Sequence, residues 1–439
     1  MKIHFTSLGC AKNRIDSEQM LALLVGAGHL LVSEPEQADA AVVNTCAFIE
    51  AAQQEAIDTI LSLARLKEEG SLRRLIVTGC LAERFQDEIL AELPEIDAVL
   101  GTASFPDIVA ALESDEPHYA CFRDKNEPLP ELERLVSTGP GWAYLKIADG
   151  CDNRCAYCVI PSIRGRFRSR RPQDILREAE TLAAEGCREV ILVAQDVTRY
   201  GRDLRDGTNL AGLLRQLCRV EGIGWVRLHY LYPAEITDEL IDVMAAEEKI
   251  VKYIDMPIQH VNDRILRAMH RPETAAGIRA LIAKLRAKMP ECVIRTSLIV
   301  GLPGEGEEEF AELMDFLREE RLERVGAFAF SPEEGTEAAG MPNRCDPEEA
   351  ERRRLAVGEL QAAIMDERDA AMVGRRLRVL CEGASDEEPG VWTGRSYADS
   401  PEVDEGVVFT GAAVPGEFYE VDIREACDGV LRGTIHEGI

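Results

Sequence analysis

No uninterrupted apolar run in this 439-residue chain approaches the roughly 20 residues that a membrane-spanning helix needs, which excludes a helical membrane protein. The N-terminus, MKIHFTSLGCAKNRIDSEQ, lacks a long apolar core and a small-residue cleavage site, so it does not read as a signal peptide and cytoplasmic residence is expected. Low-complexity tracts and long solenoid repeats are missing as well. Basic residues are scarce relative to acidic ones: 50 Lys plus Arg stand against 79 Asp plus Glu, a formal net charge of −29. A surface so acidic repels a phosphate backbone unless a local basic patch intervenes, so nucleic acid starts as a disfavoured substrate.

Cysteine, by contrast, is abundant. Thirteen are too many for packing alone, and an odd number in an untargeted chain argues against a disulfide framework and for metal ligation. The length predicts two or three domains. In the first, residues 1–115, one unit recurs three times: an apolar strand (IHFTSLGC, AAVVNTC, RLIVTGC), a cysteine just past its end, then an amphipathic helix, as over Ser17 to Val25 and Ala51 to Leu66. This is βαβ grammar. A parallel sheet gathers its strand C-termini along one edge, so Cys10, Cys46 and Cys80 are expected to converge there.

Residues 116–140, polar and broken by Pro117, Pro128, Pro130 and Pro140, read as a linker. From 141 to 345 six strand-like runs (AYLKIA, EVILVA, WVRLHYLY, KYIDMPI, CVIRTSLIV, RVGAFAF) alternate with helical patterns. Six units fall short of the eight strands of a closed TIM barrel, and an open six-stranded partial barrel fits. A connecting helix is expected over 346–371. Residues 372–439, with short strands divided by turns, read as a small all-β barrel. The fold class is thus α/β with an all-β appendage.

Within GCDNRCAYCVIPSIRGR, Cys151, Cys155 and Cys158 follow the spacing C-x3-C-x2-C. Three thiolates can hold three irons of a [4Fe–4S] cube and leave the fourth iron open, where S-adenosylmethionine can bind through its amino and carboxylate groups. Structural zinc is the weaker reading, because it takes four ligands and no fourth Cys or His lies nearby. The even placement of Cys10, Cys46 and Cys80 suggests a second [4Fe–4S] cluster with the same open position, whereas core packing is the alternative for scattered free cysteines. Cys121, Cys187, Cys218, Cys292, Cys345, Cys381 and Cys427 lack such an arrangement and read as core or incidental.

Smaller candidates remain open between two readings. Gln195 and Asp196 end the second barrel strand, where barrel enzymes place cofactor contacts, and Gln195 is taken as a cofactor-binding residue; Asp196 equally suits a helix cap. Gly301, Pro303 and Gly304 either border an adenosine or make a tight turn, and the absence of a following Gly-Lys-Ser/Thr rules out a P-loop. Gln259 and His260 face a cavity or the core. Arg164, Arg166, Arg168, Arg170 and Arg171 form the one basic cluster, suited to a cofactor carboxylate, acidic substrate groups or RNA, or simply to a solvated turn.

The chain as a whole resembles the methylthiotransferases of the radical S-adenosylmethionine superfamily. The resemblance runs through GCAKNRIDSE (Gly9 to Glu18), NTCAFIEAA (Asn44 to Ala52), TGC (Thr78 to Cys80), ADGCDNRCAYCVIPSIRGRFRSR (Ala148 to Arg170), QDVTRYGRD, YIDMPIQH, IVGLPGE and SPEEGT. It is nearest to the branch that modifies the β-carbon of an aspartate in the twelfth small-subunit ribosomal protein. The resemblance implies an N-terminal methylthiotransferase domain, a radical SAM partial barrel and a C-terminal TRAM domain. It also implies two [4Fe–4S] clusters, the auxiliary one on Cys10, Cys46 and Cys80, with S-adenosylmethionine as both methyl donor and radical source. Implied partners are an electron donor such as flavodoxin or ferredoxin and a sulfur donor. Beyond the cluster ligands no catalytic residue is assigned.

A transfer-RNA methylthiotransferase and an iron–sulfur electron carrier are the competing functions. Charge argues for the protein substrate: from Met372 to Ile439 six Arg and no Lys oppose fourteen Asp plus Glu, so 6 − 14 = −8. A basic ribosomal protein is therefore expected to dock on the acidic TRAM domain, with Asp399, Glu402, Asp404 and Glu405 grouped as its contact.

Overall fold

The first sheet is built from β1 (Lys2–Ser7), β2 (Leu30–Val32), β3 (Ala40–Thr45), β4 (Arg74–Gly79), β5 (Ala98–Leu100) and β6 (Tyr119–Cys121). Its order is β2-β1-β3-β4-β5-β6, and every pairing is parallel. The central strand β3, AAVVNT, is buried at every position, because a parallel sheet is covered on both faces. Ala41 and Val43 enter one core with Leu75 and Val77, whereas Ala40 and Val42 enter the opposite one with Ile3 and Ile76, following the two-residue alternation of a strand. β2, β5 and β6 go beyond the three strands expected from sequence. The stretch expected as a linker contributes β6, and it is also fastened to the first helix, where Ser137 donates its backbone N–H to Glu18 at 2.7 Å.

The computed structural model describes residues 1–386, 388–427 and 429–436, so the last three residues of the expected TRAM domain lie outside the described part. The chain forms two compact units. The first comprises Met1–Ser137, Ala148–Arg170 and Ser331–Ala339; the second comprises Thr138–Ile147, Arg171–Phe330 and Gly340–Ile439. The cysteine loop after the first barrel strand thus belongs with the N-terminal sheet.

In the second unit β7 (Trp142–Lys146) is followed, after the ribbon of β8 (Ala148–Asp149) and β9 (Arg168–Ser169) in the first unit, by β10 (Glu189–Val193), β11 (Trp225–Leu228), β12 (Ile250–Asp255), β13 (Val293–Val300) and β14 (Arg324–Ala329). These six strands pair in parallel in chain order, β7-β10-β11-β12-β13-β14, and do not close. Asn209, Thr237, Asn262, Thr274 and Asp346 each cap the following helix with a side-chain oxygen. The helix Pro347–Ala370 leads to β15 (Arg376–Ala384), β16 (Val391–Arg395), β17 (Val407–Thr410), β18 (Phe418–Cys427) and β19 (Val430–Ile435), which close into a barrel in the order β15-β16-β17-β19-β18.

Buried charge joins this barrel to the open sheet. Glu189, fully buried, lies 2.7 Å from Arg227 Nε and 2.7 Å from Arg395 Nη2. Arg324 of β14 faces Asp399 at 3.3 Å and Asp404 at 3.6 Å, and Tyr253 donates to Asp404 at 2.7 Å. The expected acidic docking group is corrected accordingly: Asp399 and Asp404 are internal ion-pair partners, and only Glu402 and Glu405 of the four are exposed. No helix among the described residues is long and apolar enough to cross a membrane.

Candidate iron–sulfur centres

Cys10, Cys46 and Cys80 follow the ends of β1, β3 and β4, three adjacent strands of the sheet. The chain reverses its direction of travel across the sheet between β1 and β3, and a crevice outside the strand C-termini is expected at such a switch point. Glycine makes the approach possible. Gly9 has φ +90°, and a Cβ there would stand 2.8 Å from Cys46 Cβ and 3.1 Å from its Sγ. Gly79, at φ +93°, has no room either, because a Cβ there would stand 2.2 Å from Asn44 Oδ1 and 2.6 Å from the Thr45 carbonyl oxygen. Any side chain at either position would displace a cysteine-bearing loop.

Asn13 anchors the arrangement from below, its Nδ2 donating to the carbonyls of Leu8 at 3.0 Å and Thr45 at 2.8 Å. Asn44 returns a bond to the Asn13 carbonyl at 2.8 Å, and Thr45 Oγ1 donates to the Thr78 carbonyl at 2.6 Å. The three loops are thereby laced together by the polar residues of GCAKNRIDSE and NTC. Contrary to an amphipathic reading of its sequence, the helix Ala11–Gly26 buries Lys12, Asn13, Asp16, Ser17, Glu18 and Gln19, all polar, on this account.

The thiols influence one another. Burial pushes the Cys80 thiol up to about 12, with Arg164 opposing and Cys10 and Cys46 adding to the rise. Cys46 is raised by burial and by Cys10. Crowding by surrounding protein also opposes ionisation of Cys10, although the residue is exposed, and the charges of Lys12 and Arg164 with the backbone N–H groups of Asn13 and Lys12 outweigh it and lower its pKa. Cys10 occupies the N-cap position of the 16-residue helix, where the dipole favours a thiolate.

Cys151, Cys155 and Cys158 lie half-buried on one loop, in which the Cys158 N–H bonds the Cys155 carbonyl at 3.0 Å and the Cys151 N–H bonds the Gly165 carbonyl at 3.1 Å. Gly150, at φ +78°, would place a Cβ 2.0 Å from the Arg166 carbonyl oxygen. Burial raises Cys158 to about 12, and its two neighbouring cysteines add to the rise. Val159 and Ile163, just beyond, enter the same core as Cys80 and Leu81. Among the described residues no three of Cys, His, Asp and Glu converge tightly enough for a single metal ion. Two sets of three cysteines suit instead a cube whose irons each take one thiolate at a separate corner.

Arg164 has a place that its sequence did not disclose. It is buried, with Nη1 2.7 Å from Asp16 and 3.2 Å from Asp149, and Nη2 bonded to Asn13 Oδ1 and 3.6 Å from Cys80 Sγ. The rest of the basic cluster divides. Arg168 donates to the carbonyls of Glu127 and Arg164, Arg170 pairs with Glu131, and Arg166 and Arg171 are exposed. Glu333 of SPEEGT is a second residue the sequence did not single out. Its carboxylate accepts from the Glu50 N–H at 2.9 Å, Gln53 at 3.0 Å, Arg84 at 2.9 Å and Ser331 at 2.7 Å, so it braces the helices that follow Cys46 and Cys80.

The other candidates lie in the second unit. Asp196 caps the turn Val197–Arg199 by accepting from the Thr198 N–H at 3.1 Å, the structural one of its two readings; Gln195 beside it is half-buried. Pro303 and Gly304 make a tight turn, closed by the Glu305 N–H on the Leu302 carbonyl at 2.9 Å, and a Cβ at Gly301 just before it would stand 2.5 Å from Ala350 Cβ. His260 is buried with Nδ1 accepting from the Asn262 N–H at 3.0 Å, a core position, and Gln259 bridges to β13 with φ +69°. Cys187, Cys218, Cys292 and Cys381 are buried and Cys427 is exposed.

Comparison with known proteins agrees with this architecture. Residues 2–101 match the uncharacterized protein family UPF0004, residues 145–317 the radical SAM superfamily and residues 373–435 the TRAM domain. The fold is like that of the radical S-adenosylmethionine methyltransferase TsrM from Kitasatospora setae, solved with cobalamin and a [4Fe–4S] cluster, with TM-score 0.57 at 14% identity over 92% of this chain and 82% of that one. Fold and cysteine loop together define a radical SAM protein carrying an N-terminal cysteine-bearing sheet and a TRAM barrel. The ribosomal protein uS12 methylthiotransferase RimO of Anaeromyxobacter sp. (strain Fw109-5) is 46% identical over 437 residues, covering 99% of this chain and 93% of that protein. The protein of the same name from Lachnoclostridium phytofermentans is 45% identical over 441 residues, covering 99% and 100%. The chain belongs to the ribosomal protein uS12 methylthiotransferase family.

Proposed function

We propose that this chain adds a CH3–S group to the β-carbon of an aspartate in ribosomal protein uS12. The observation that carries the reading is full-length similarity to enzymes of that name, joined to two cysteine triads in one compact unit. Cys151, Cys155 and Cys158 would hold one [4Fe–4S] cluster, and Cys10, Cys46 and Cys80 a second. The bound groups would supply one-electron cleavage of S-adenosylmethionine and a sulfur atom for transfer. The chain's own part is to fix two three-thiolate cradles, each leaving one iron free of protein, and to hold them through the shared core of Cys80, Leu81, Val159 and Ile163. Such fixing matters because a carbon radical must meet its target before other groups do. Gln195 is assigned to the cofactor on its position after β10.

A ferredoxin- or flavodoxin-like electron donor and a separate sulfur donor complete the cycle. Docking of the basic substrate on the C-terminal barrel is supported by the net charge of −8 on residues 372–439 and falls to exposed acids such as Glu402 and Glu405. The working parts are taken as residues 1–115, 141–345 and 372–439, with 116–140 and 346–371 between them, and family matches over 2–101, 145–317 and 373–435 support this division.

Iron content and cofactor cleavage test the reading together. Replacing Cys151, Cys155 and Cys158 by Ala should halve the iron and abolish formation of 5′-deoxyadenosine. Replacing Cys10, Cys46 and Cys80 should also halve the iron and leave cleavage detectable. Full iron after the second replacement would contradict the two-cluster reading.

A further inference from the structure

We infer that Arg164 is the positioning residue that sets the reduction potential of the auxiliary cluster and ties that cluster to the radical-SAM cysteine loop. The inference rests on the proposed function, in that Cys10, Cys46 and Cys80 must hold a cluster for Arg164 to act on it.

The geometry is unusual for an arginine that follows a cysteine loop by six residues. Its guanidinium is buried and meets four partners from three separate parts of the unit. Asn13 and Asp16 belong to the helix that Cys10 caps, Cys80 is itself a thiol of the triad, and Asp149 stands two residues before Cys151. A planar fork with five donors can satisfy all four at once; an ammonium cannot. A cation next to a ligand sulfur, shielded from water, stabilises the cluster state that carries the additional electron, and so raises the potential. The carboxylates of Asp16 and Asp149 orient the guanidinium toward the sulfur. Because Arg164 ends the helix Ile160–Arg164 directly beyond Cys158, any shift of the radical-SAM loop moves this charge relative to Cys80.

The test uses the full chain with Cys151, Cys155 and Cys158 replaced by Ala, so that only the auxiliary triad carries iron. Iron per chain and an EPR-monitored redox titration are measured for this parent, for Arg164→Lys, for Arg164→Gln, and for Arg164→Gln with Asp16→Asn. The last variant removes opposite charges together, so folding is not burdened by a lone buried carboxylate. The midpoint potential should shift negative in the Gln variants and fall between them and the parent in Arg164→Lys, with iron retained. Loss of iron from both Gln variants and retention in Arg164→Lys would also support the role of the charge. An unchanged potential, or loss of iron from all three variants, overturns the inference while leaving the two-cluster reading intact. A parent without iron overturns both.

Discussion

Glu333, at 5% exposure, accepts hydrogen bonds from the helices that follow two different cysteines and neutralises Arg84, itself 10% exposed. Truncating one member of a buried pair leaves the other charge uncompensated and costs about 3–5 kcal/mol. Glu333→Ala should therefore lower the unfolding free energy by that order in a denaturant titration, and should release auxiliary iron first, since the helices after Cys46 and Cys80 lose their common brace. The second unit has a residue-level signature of its own. Burial lowers both His229 and His260 to about 4, and Ser400 meets His229 Nε2 at 2.9 Å. In the unfolded chain a histidine titrates near 6.5, so the unfolded state takes up protons first as pH falls. The stabilisation is complete above about pH 6.5, declines down to about pH 4 and levels off below. Thermal midpoints recorded across that window should fall, and His229→Gln should flatten the slope; a slope unaffected by the replacement would contradict the assignment. Glu333 was not legible in the sequence, and Arg164 was legible only as one member of a basic cluster. The contacts of Arg164 to Cys80 and Asn13 span 84 and 151 residues, and a charged side chain reads as solvated until its partner is known.

Strand–cysteine–helix units were legible at the scale of elements because a cysteine recurs at a similar place, one to three residues past the end of an apolar strand. All six strands of the open sheet were readable for the same reason: each is a compact run of β-branched and apolar residues between helical patterns. β2, β5 and β6 were not, since three residues carry no alternation to read, and β5 and β6 are recognisable only through the neighbour they pair with. The glycines before Cys10, Cys80 and Cys151 take a positive φ at points where a Cβ would collide with neighbouring chain. Gly79→Ala combines a positive φ with contacts as close as 2.2 Å to Asn44, so the end of β4 must shift. That variant should lose about half of its iron, retain 5′-deoxyadenosine formation, and show the same pattern as the triple replacement of Cys10, Cys46 and Cys80. Retention of all the iron would mean that β4 does not set the position of Cys80.

For the molecule as a whole, acidic composition conveyed less than placement. Asp399 and Asp404, grouped with Glu402 and Glu405 in the sequence, are joined to Arg324 and Tyr253 within the second unit, so they serve cohesion and not recognition. Asp399→Lys with Asp404→Lys should destabilise the protein in a thermal melt, whereas Glu402→Lys with Glu405→Lys, which loses the hydrogen bond from Tyr144 to Glu402 at 3.1 Å, should lower the melt far less and weaken binding of uS12. Equal binding by the second variant would remove the C-terminal barrel from substrate docking. The central claim is the transfer of a methylthio group to uS12, and its most direct measurement is mass spectrometry of the products after reconstituted enzyme, S-adenosylmethionine, a sulfur source and reductant are incubated with uS12 and, separately, with transfer RNA. The account predicts one CH2S increment on an aspartate of uS12, accompanied by 5′-deoxyadenosine, and none on the RNA; an unmodified uS12 beside a methylthiolated transfer RNA would contradict it.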